Sequence, residues 1–480
     1  MYIINIIVLL FLNFFIFPGD LTPKNKSAFT ETKIQEVEDK IYYVHNKPDR
    51  GKGTLESPWN MKQAHEEFIA MIKGGDRLKH LPGVYIGKWR SLLNGKPERP
   101  IICEPADYND PPVFMSDFNK SIKEVEGQTF HILGSQTWYV NFTFRDEYEK
   151  RISDVDWYKD DFSMRDVKTH DMVYISGGSR ESVGVRLINC MVYDVNGIGV
   201  FLSEKAHNAE IYGNLIAFNG FEGGDRGHGP GTYMRSQDGA LIENNIIFAN
   251  HQLGLRIYGH AIGFKILDNV SFSNGVISEK NKADANLFIG GSGNSKIIDK
   301  IYSEGNICYH APFTKAAGTR IGYRGVIKHV DLVNEHYIAP NPIQVDKLFP
   351  PQLAEDLTSK NITYEISDKI KITKNKYEIN SAVVTVLNKS GNDVATIDLK
   401  GIVEKGTKIA IWDIQNFKGK PVWEQEYKGQ KIALPLNLNE VSQPFGNVSR
   451  SYTRTPKEFN CFIIRAVDRN NTLIINRNIN

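Results

Sequence analysis

Between Gly199 and Asn274 the chain repeats itself three times, as GVFLS…IYGNLIAFN (199–219), GTYMR…IENNIIFAN (231–250) and GLRIY…ILDNVSFSN (254–274). When Asn214, Asn245 and Asn269 are aligned, a second Asn follows five residues later every time, at Asn219, Asn250 and Asn274. A fixed internal period of this kind marks a stacked repeat architecture. The repeated unit is built on strands, because Val200/Leu202, Thr232/Met234 and Leu255/Ile257 alternate with residues of outward type.

The period extends in both directions, with Cys190 in the first-Asn position of an earlier copy and Asn306 in that of a later one. The steps from 190 to 214, 245, 269 and 306 are 24, 31, 24 and 37 residues, and the long ones contain GFEGGDRGHGPG and GVISEKNKADA. Coils of this size, with insertions on one side, can stack at an inter-strand spacing of roughly 4.8 Å. Aligned buried Asn side chains would hydrogen-bond up such a stack.

On these repeats the chain resembles the right-handed parallel β-helix proteins of the pectin-lyase-like superfamily. The N-terminal order is similar too: GTLESP, an amphipathic helix over 59–73, GGDRL, PGVYIG, then RPII. In that helix Ala64, Phe68, Met71 and Ile72 share one face, as a cap needs if it is to cover an open coil end. After APNPIQVDKLFPPQL the texture changes to short alternating strands with turn signals between them, the pattern of a small antiparallel sandwich. The run GTKIAIWDIQNFKGKPV resembles the C-terminal β-domain of secreted bacterial β-helix proteins. That domain could bind carbohydrate through Trp412 or Trp423, or cap the stack.

The expected fold is therefore all-β: a right-handed parallel β-helix over 41–345 with an N-terminal capping helix, a linker over 346–375, and an antiparallel β-sandwich over 376–480. The apolar start, MYIINIIVLLFLNFFIFPGD, reads as a signal peptide over 1–19 with a linker over 20–40, an N-terminal anchor being the competing reading. A secreted, cell-surface or periplasmic monomer is expected. A net charge of +2 over 480 residues points to neither nucleic acid nor a membrane surface. Cys103, Cys190, Cys308 and Cys461 are far apart and form no metal-ligand pattern, which favours small buried hydrophobes.

Candidate chemistry gathers on the outward residues of the repeats. One row up the stack is Phe201, Tyr233, Arg256 and Phe288, and the next is Ser203, Arg235, Tyr258 and Gly290. The backbones of Arg235 and Arg256 fall roughly 8 Å apart from the spacing and rise of strands. Guanidiniums that close need an offsetting charge. Glu222, Asp225 and Asp238 could supply it, or a uronate or sulfate could lie between them, with Tyr233 and Tyr258 offering faces to sugar rings. The loop GFEGGDRGHGPG concentrates Glu222, Asp225, Arg226 and His228 among glycines, and His251 would lie one coil further along the same edge. The insertion over 145–171 carries Asp154, Asp156, Asp160, Asp161 and Asp166. It reads as a solvated loop and a wall of a binding groove, with Ca²⁺ the alternative its carboxylates admit.

Gly227-His228-Gly229 and Arg256-Ile257 invite comparison with polygalacturonase-type hydrolases, but the paired aspartates are missing, since YDVNGIGV (193–200) offers only Asp194. A lyase needs fewer parts. The resemblance implies Arg235 or Arg256 as base with the other binding a carboxylate, and Ca²⁺ held by Glu222, Asp225 and Asp238. His228 or His251 is the competing base. Substrate contacts would come from Tyr233, Tyr258, Arg226, Phe201 and Phe288. The function expected is binding and cleavage of a uronate polysaccharide by β-elimination. The alternatives are a glycoside hydrolase using Glu222, Asp225 and Asp238, or a carbohydrate-binding adhesin.

Overall fold

The computed structural model of the chain describes residues 38–157, 159, 162–280, 285–312, 314, 316–345 and 352–469. The expected signal peptide and nearly all of its linker lie outside these residues, as do Asp160 and Asp161.

The protein is a right-handed parallel β-helix whose coils each pass through three strands. In one coil these are Thr232–Ser236 on face 1, Ala240–Glu243 on face 2 and Ile246–Phe248 on face 3. Each strand pairs in parallel with its counterparts in the coils before and after, and face 3 closes as a nine-stranded sheet. Phe201 stands opposite Tyr233 and Arg256 opposite Phe288, while Met234 pairs inward with Ile257. Alternation places Val200, Leu202, Met234, Leu255, Ile257, Leu287 and Ile289 in the core with Ile211, Ile242 and Ile266 from face 2.

Two corners of every central coil are set by asparagine. At the corner between faces 2 and 3, a residue with positive φ (Gly213, Asn244, Asp268, Gly305) precedes the ladder Asn. The Asn245 Oδ1 accepts the backbone N–H of Asn214 at 3.0 Å and its Nδ2 at 2.9 Å, while Asn245 Nδ2 donates to Ile211 O at 2.8 Å. The same pattern repeats from Asn245 to Asn269 and from Asn269 to Asn306, and it ends on Glu335, whose carboxylate accepts from Asn306 Nδ2. A second ladder joins Asn219, Asn250 and Asn274 and passes on to Asn286. Buried backbone amides at a corner have no strand partner, and asparagine supplies both donor and acceptor to satisfy them.

The N-terminal cap is shorter than the expected 59–73. Trp59–Asn60 pairs as a strand, and the helix is the single wide turn Gln63–Glu67. Hydrogen bonds between Gly51 and the Gln63 amide pin that turn. Trp59, Met61, Ala64 and Ile72 seal the core, but Met71 is exposed. At the other end, parallel pairing continues past the expected boundary: Asn341–Val345 and Gln352–Lys360 add to faces 1 and 2. All four cysteines are buried free thiols.

The C-terminal strands form a five-stranded antiparallel sheet and a two-stranded one with an apolar core between them. The other side of the larger sheet lies along face 3, where Leu215, Ile246, Phe248, Val270, Phe272 and Ile307 meet Val383, Leu387, Ile414, Tyr452 and Phe459. This domain therefore braces the flank of the stack rather than its end. Trp412 lies at the seam beside Met191 and Leu215, and Trp423 packs on the sandwich core. Asp194 is buried in the same seam, bonded to Lys418 Nζ at 2.6 Å and to the Phe445 N–H at 2.9 Å. A chain ending at Lys360 would expose the apolar face 3, a contiguous patch that soluble proteins rarely tolerate. It is expected to aggregate and bind a hydrophobic dye, as size exclusion and fluorescence would show.

Candidate functional site

Face 1 carries a continuous outward ladder. Tyr174 stacks on Phe201 with centroids 4.4 Å apart, and Phe201 on Tyr233 at 4.8 Å, before Tyr258 turns edge-on to Tyr233 at 5.5 Å. Both arginines lie on these rings. Arg235 sits 4.9 Å from Phe201 and 5.0 Å from Tyr233, and Arg256 lies 4.5 Å from Tyr233 and 3.9 Å from Tyr258. Arg320 continues the series over Phe288. The ring faces are thus occupied by one another and by guanidiniums, and Phe201 and Phe288 are buried. Cation–π contact fixes the arginines in place; the ladder presents cationic edges rather than open rings to a ligand.

The charge that offsets Arg235 comes from the corner between faces 1 and 2. Its Nη1 is 3.6 Å from Glu204, which also bonds Lys296 Nζ at 3.0 Å. Burial alone would raise the Glu204 carboxyl, but Lys296 and Arg235 hold it below its ordinary value. The Arg235 side chain passes over Gly259, where φ is +106° and an added Cβ would stand 2.8 Å from Cδ. Any larger residue at 259 would displace the guanidinium.

At the corner between faces 3 and 1, the two long insertions meet. The 145–171 segment joins the glycine-rich loop through Ser153 N–H to Glu222 O at 2.8 Å and Gly224 N–H to Val155 O at 2.8 Å. Between these insertions runs the short corner of the intervening coil, and the three line an open cavity of about 340 Å³. Gly197 and Ile198 line it together with Trp157, Phe221, His228, Asp171 and Glu126. His228 stacks on Phe221 at 5.1 Å and bonds Asp225 Oδ1 through Nε2 at 2.8 Å. Burial pushes the His228 imidazole down against the pull of Asp225, so it is neutral at neutral pH. Beside the cavity, His170 is buried with Nε2 on Asp146 at 2.6 Å and Nδ1 on Thr129 at 2.9 Å. Burial would lower His170, but Asp146 more than offsets it and holds the imidazole above its ordinary value.

The expected site residues divide. Phe201, Tyr233, Arg235, Arg256, Tyr258 and Phe288 share face 1, and His228, Asp225 and Arg226 stand together at its edge. His251 has no exposed surface; it lies inside the corner near Arg151, with burial pushing its imidazole well below the ordinary range. A substrate has no route to it. Glu222 is also buried: its Oε2 accepts from Ser278 Oγ, Ser449 Oγ and the Glu279 N–H, tying the loop to the C-terminal domain. Asp238 is exposed at the opposite corner, and Asp225 is taken up by His228 and Arg226. The three proposed Ca²⁺ ligands do not converge, and among the described residues no three His, Cys, Asp or Glu side chains gather as a cation site. In the 145–171 insertion Asp166 pairs with Lys150 and Asp156 with Lys159.

The sequence reading missed Tyr174, Glu204, Trp157 and Asp171. Tyr174 was within reach, because it sits one coil before Phe201 in the same outward row. Asp171 is the last residue of the insertion and the first of a face 1 strand, and nothing in its local pattern separates it from the other acids.

No protein-family model matches this sequence, and no curated protein matches it. Solved structures similar to it include pectate lyase Pel9A, at 12% identity and a TM-score of 0.45 over 67% of this chain and 80% of that one. XylC in complex with xylose is similar at 10% identity and a TM-score of 0.39, over 88% of this chain and 100% of that one. The alginate lyase from Paenibacillus sp. str. FPU-7 is similar at 11% identity and a TM-score of 0.34, over 68% and 99%.

Proposed function

We propose that this is an exported protein that binds an acidic, uronate-containing polysaccharide along face 1 and cleaves it by β-elimination. The observation that carries the reading is the ladder of ring-mounted arginines leading to a cavity with an oriented, neutral histidine. A uronate carboxylate held by Arg235 and Arg256 loses charge to charge-assisted hydrogen bonds, which acidifies the proton beside it. His228 lines the cavity and is oriented by its bond to Asp225, and it is the group that takes that proton. The arginines are engaged with rings and, for Arg235, with Glu204, so binding the carboxylate suits them better than accepting a proton. The apolar N-terminal stretch supports export.

A second reading, glycoside hydrolysis, is favoured by the two carboxyls, Glu126 and Asp171, that line the same cavity. Incubation with polygalacturonate, alginate and other uronate polymers separates the readings. Ultraviolet absorbance of an unsaturated product is expected. New reducing ends without absorbance would replace elimination by hydrolysis, and binding with neither product would leave a carbohydrate-binding protein. Arg256→Ala is expected to lower kcat/KM by about tenfold to a hundredfold, the loss of one or two charge-assisted hydrogen bonds. Unchanged turnover in that variant would move the substrate off face 1.

A further inference from the structure

Resting on the reading that this cavity cleaves a glycosidic bond, we propose that Asp171 is the general acid, giving its proton to the departing glycosidic oxygen opposite His228. Asp171 is partly exposed and lines the cavity at the point where the aromatic ladder begins, three residues before Tyr174. Its competitors are committed elsewhere. Glu126 is paired with Arg165 at 2.9 Å, and Asp225 is bonded to His228. His170 is fully buried and tied at both nitrogens, so it acts on Asp171 without reaching a substrate. Asp171 makes no ion pair among the described residues. Burial pushes its carboxyl up to about 7, against the pull of His170, Arg235 and the Ile198 amide. An imidazole held down and a carboxyl held up, facing one cavity, are the two halves of acid–base catalysis near neutral pH.

The step balances. His228 takes the proton beside the carboxylate, and the electrons of that bond form the C4–C5 double bond. The C4–O4 bond breaks onto oxygen, and that oxygen takes the Asp171 proton. Asp171 is left as carboxylate and His228 as imidazolium, and exchange with water restores both. Hydrolysis would draw the same proton to the same oxygen.

The charged groups facing Asp171 are His170 on its own segment, Arg235 from two coils on, and Glu126 and His228 around the cavity. Asp171 must be protonated to act, so kcat/KM should fall as pH rises through about 7. Asp171→Asn is tested on polygalacturonate or alginate, whichever the wild-type protein cleaves, and on the fluoride analogue of the same uronate, whose leaving group needs no proton. The polymer rate is expected to fall about 10³-fold, while the fluoride rate changes less than about fivefold. The wild-type alkaline limb should be present with polymer and missing with fluoride. Equal loss on both substrates would make Asp171 a structural or binding residue and overturn the proposal, as would no loss on either. The product, unsaturated or saturated, reports separately on elimination, so that reading can fail while the acid stands. A wild-type protein that cleaves neither polymer overturns both.

Discussion

Asn245→Ala should cost the protein about 4 kcal/mol of stability. The side chain is fully buried, and its loss takes away the acceptor of the Asn214 N–H, the Asn donor to the Ile211 carbonyl and one of the two acceptors of the Asn214 amide. Each orphaned buried group costs about 1–3 kcal/mol. A shift of the urea midpoint measures the effect, with exposed Asn109→Ala as a control expected to change stability by no more than about 0.5 kcal/mol. Should the two variants unfold alike, the ladder would be an ornament of the coil rather than its fastening.

Glu335→Gln should have the opposite sign. Glu335 occupies the ladder position after Asn306, is fully buried, and accepts from Ser303 Oγ at 2.5 Å and Asn306 Nδ2 at 2.9 Å through one oxygen. Its other oxygen has no hydrogen-bond partner among the described residues. Burial pushes this carboxyl up to about 7 from the ordinary 4.5. Below pH 4.5 it is protonated in both the folded and unfolded chain and adds no pH-dependent term. Between 4.5 and 7 the unfolded chain ionises first, so stability is lost as pH rises, and the loss is complete above 7. At about 1.4 kcal/mol per pKa unit the full penalty is about 3 kcal/mol. The neutral amide avoids it, so Glu335→Gln should match the wild type near pH 4.5 and exceed it by up to about 3 kcal/mol at pH 8. Denaturation curves at those two pH values check the window, and a gain independent of pH would refute the cause.

What the sequence made legible follows from how tightly each position is constrained. Asn214, Asn245 and Asn269 each do the same job, so the same residue recurs at the same offset, and the coil could be read from it. Phe201, Tyr233, Arg256 and Phe288 were assigned to one row because a one-residue slip would have turned every core side chain outward. Glu335 could have been found by the same counting, since Asn334 before it has the positive φ of the other corners. The flank of face 3 also left a trace: the first and third residues of LIA, IIF and VSF, which point away from the coil interior, are all apolar, as those of a solvated sheet would not be.

The cavity left no such trace. Asp171, Ile198 and His228 come from three coils, and their meeting depends on a short corner lying between two long insertions. His251 was misplaced because it directly follows a ladder Asn, where the corner turns the side chain inward. Glu222 was misread because its partners, Ser278 and Ser449, lie 56 and 227 residues away in sequence. Composition and spacing along the chain do not report such distances.

The lateral brace changes how this molecule can come apart. A bare solenoid holds each coil only by its two neighbours, so it can fray from an end and melt piecemeal. Here one sheet grips Leu215, Ile246, Val270 and Ile307, which belong to four successive coils. Loosening any of them loosens a surface shared by all, and the stack is bound into a single cooperative block. The ladder of rings and arginines on face 1 is thereby held straight by a domain packed along a different face of the same coils.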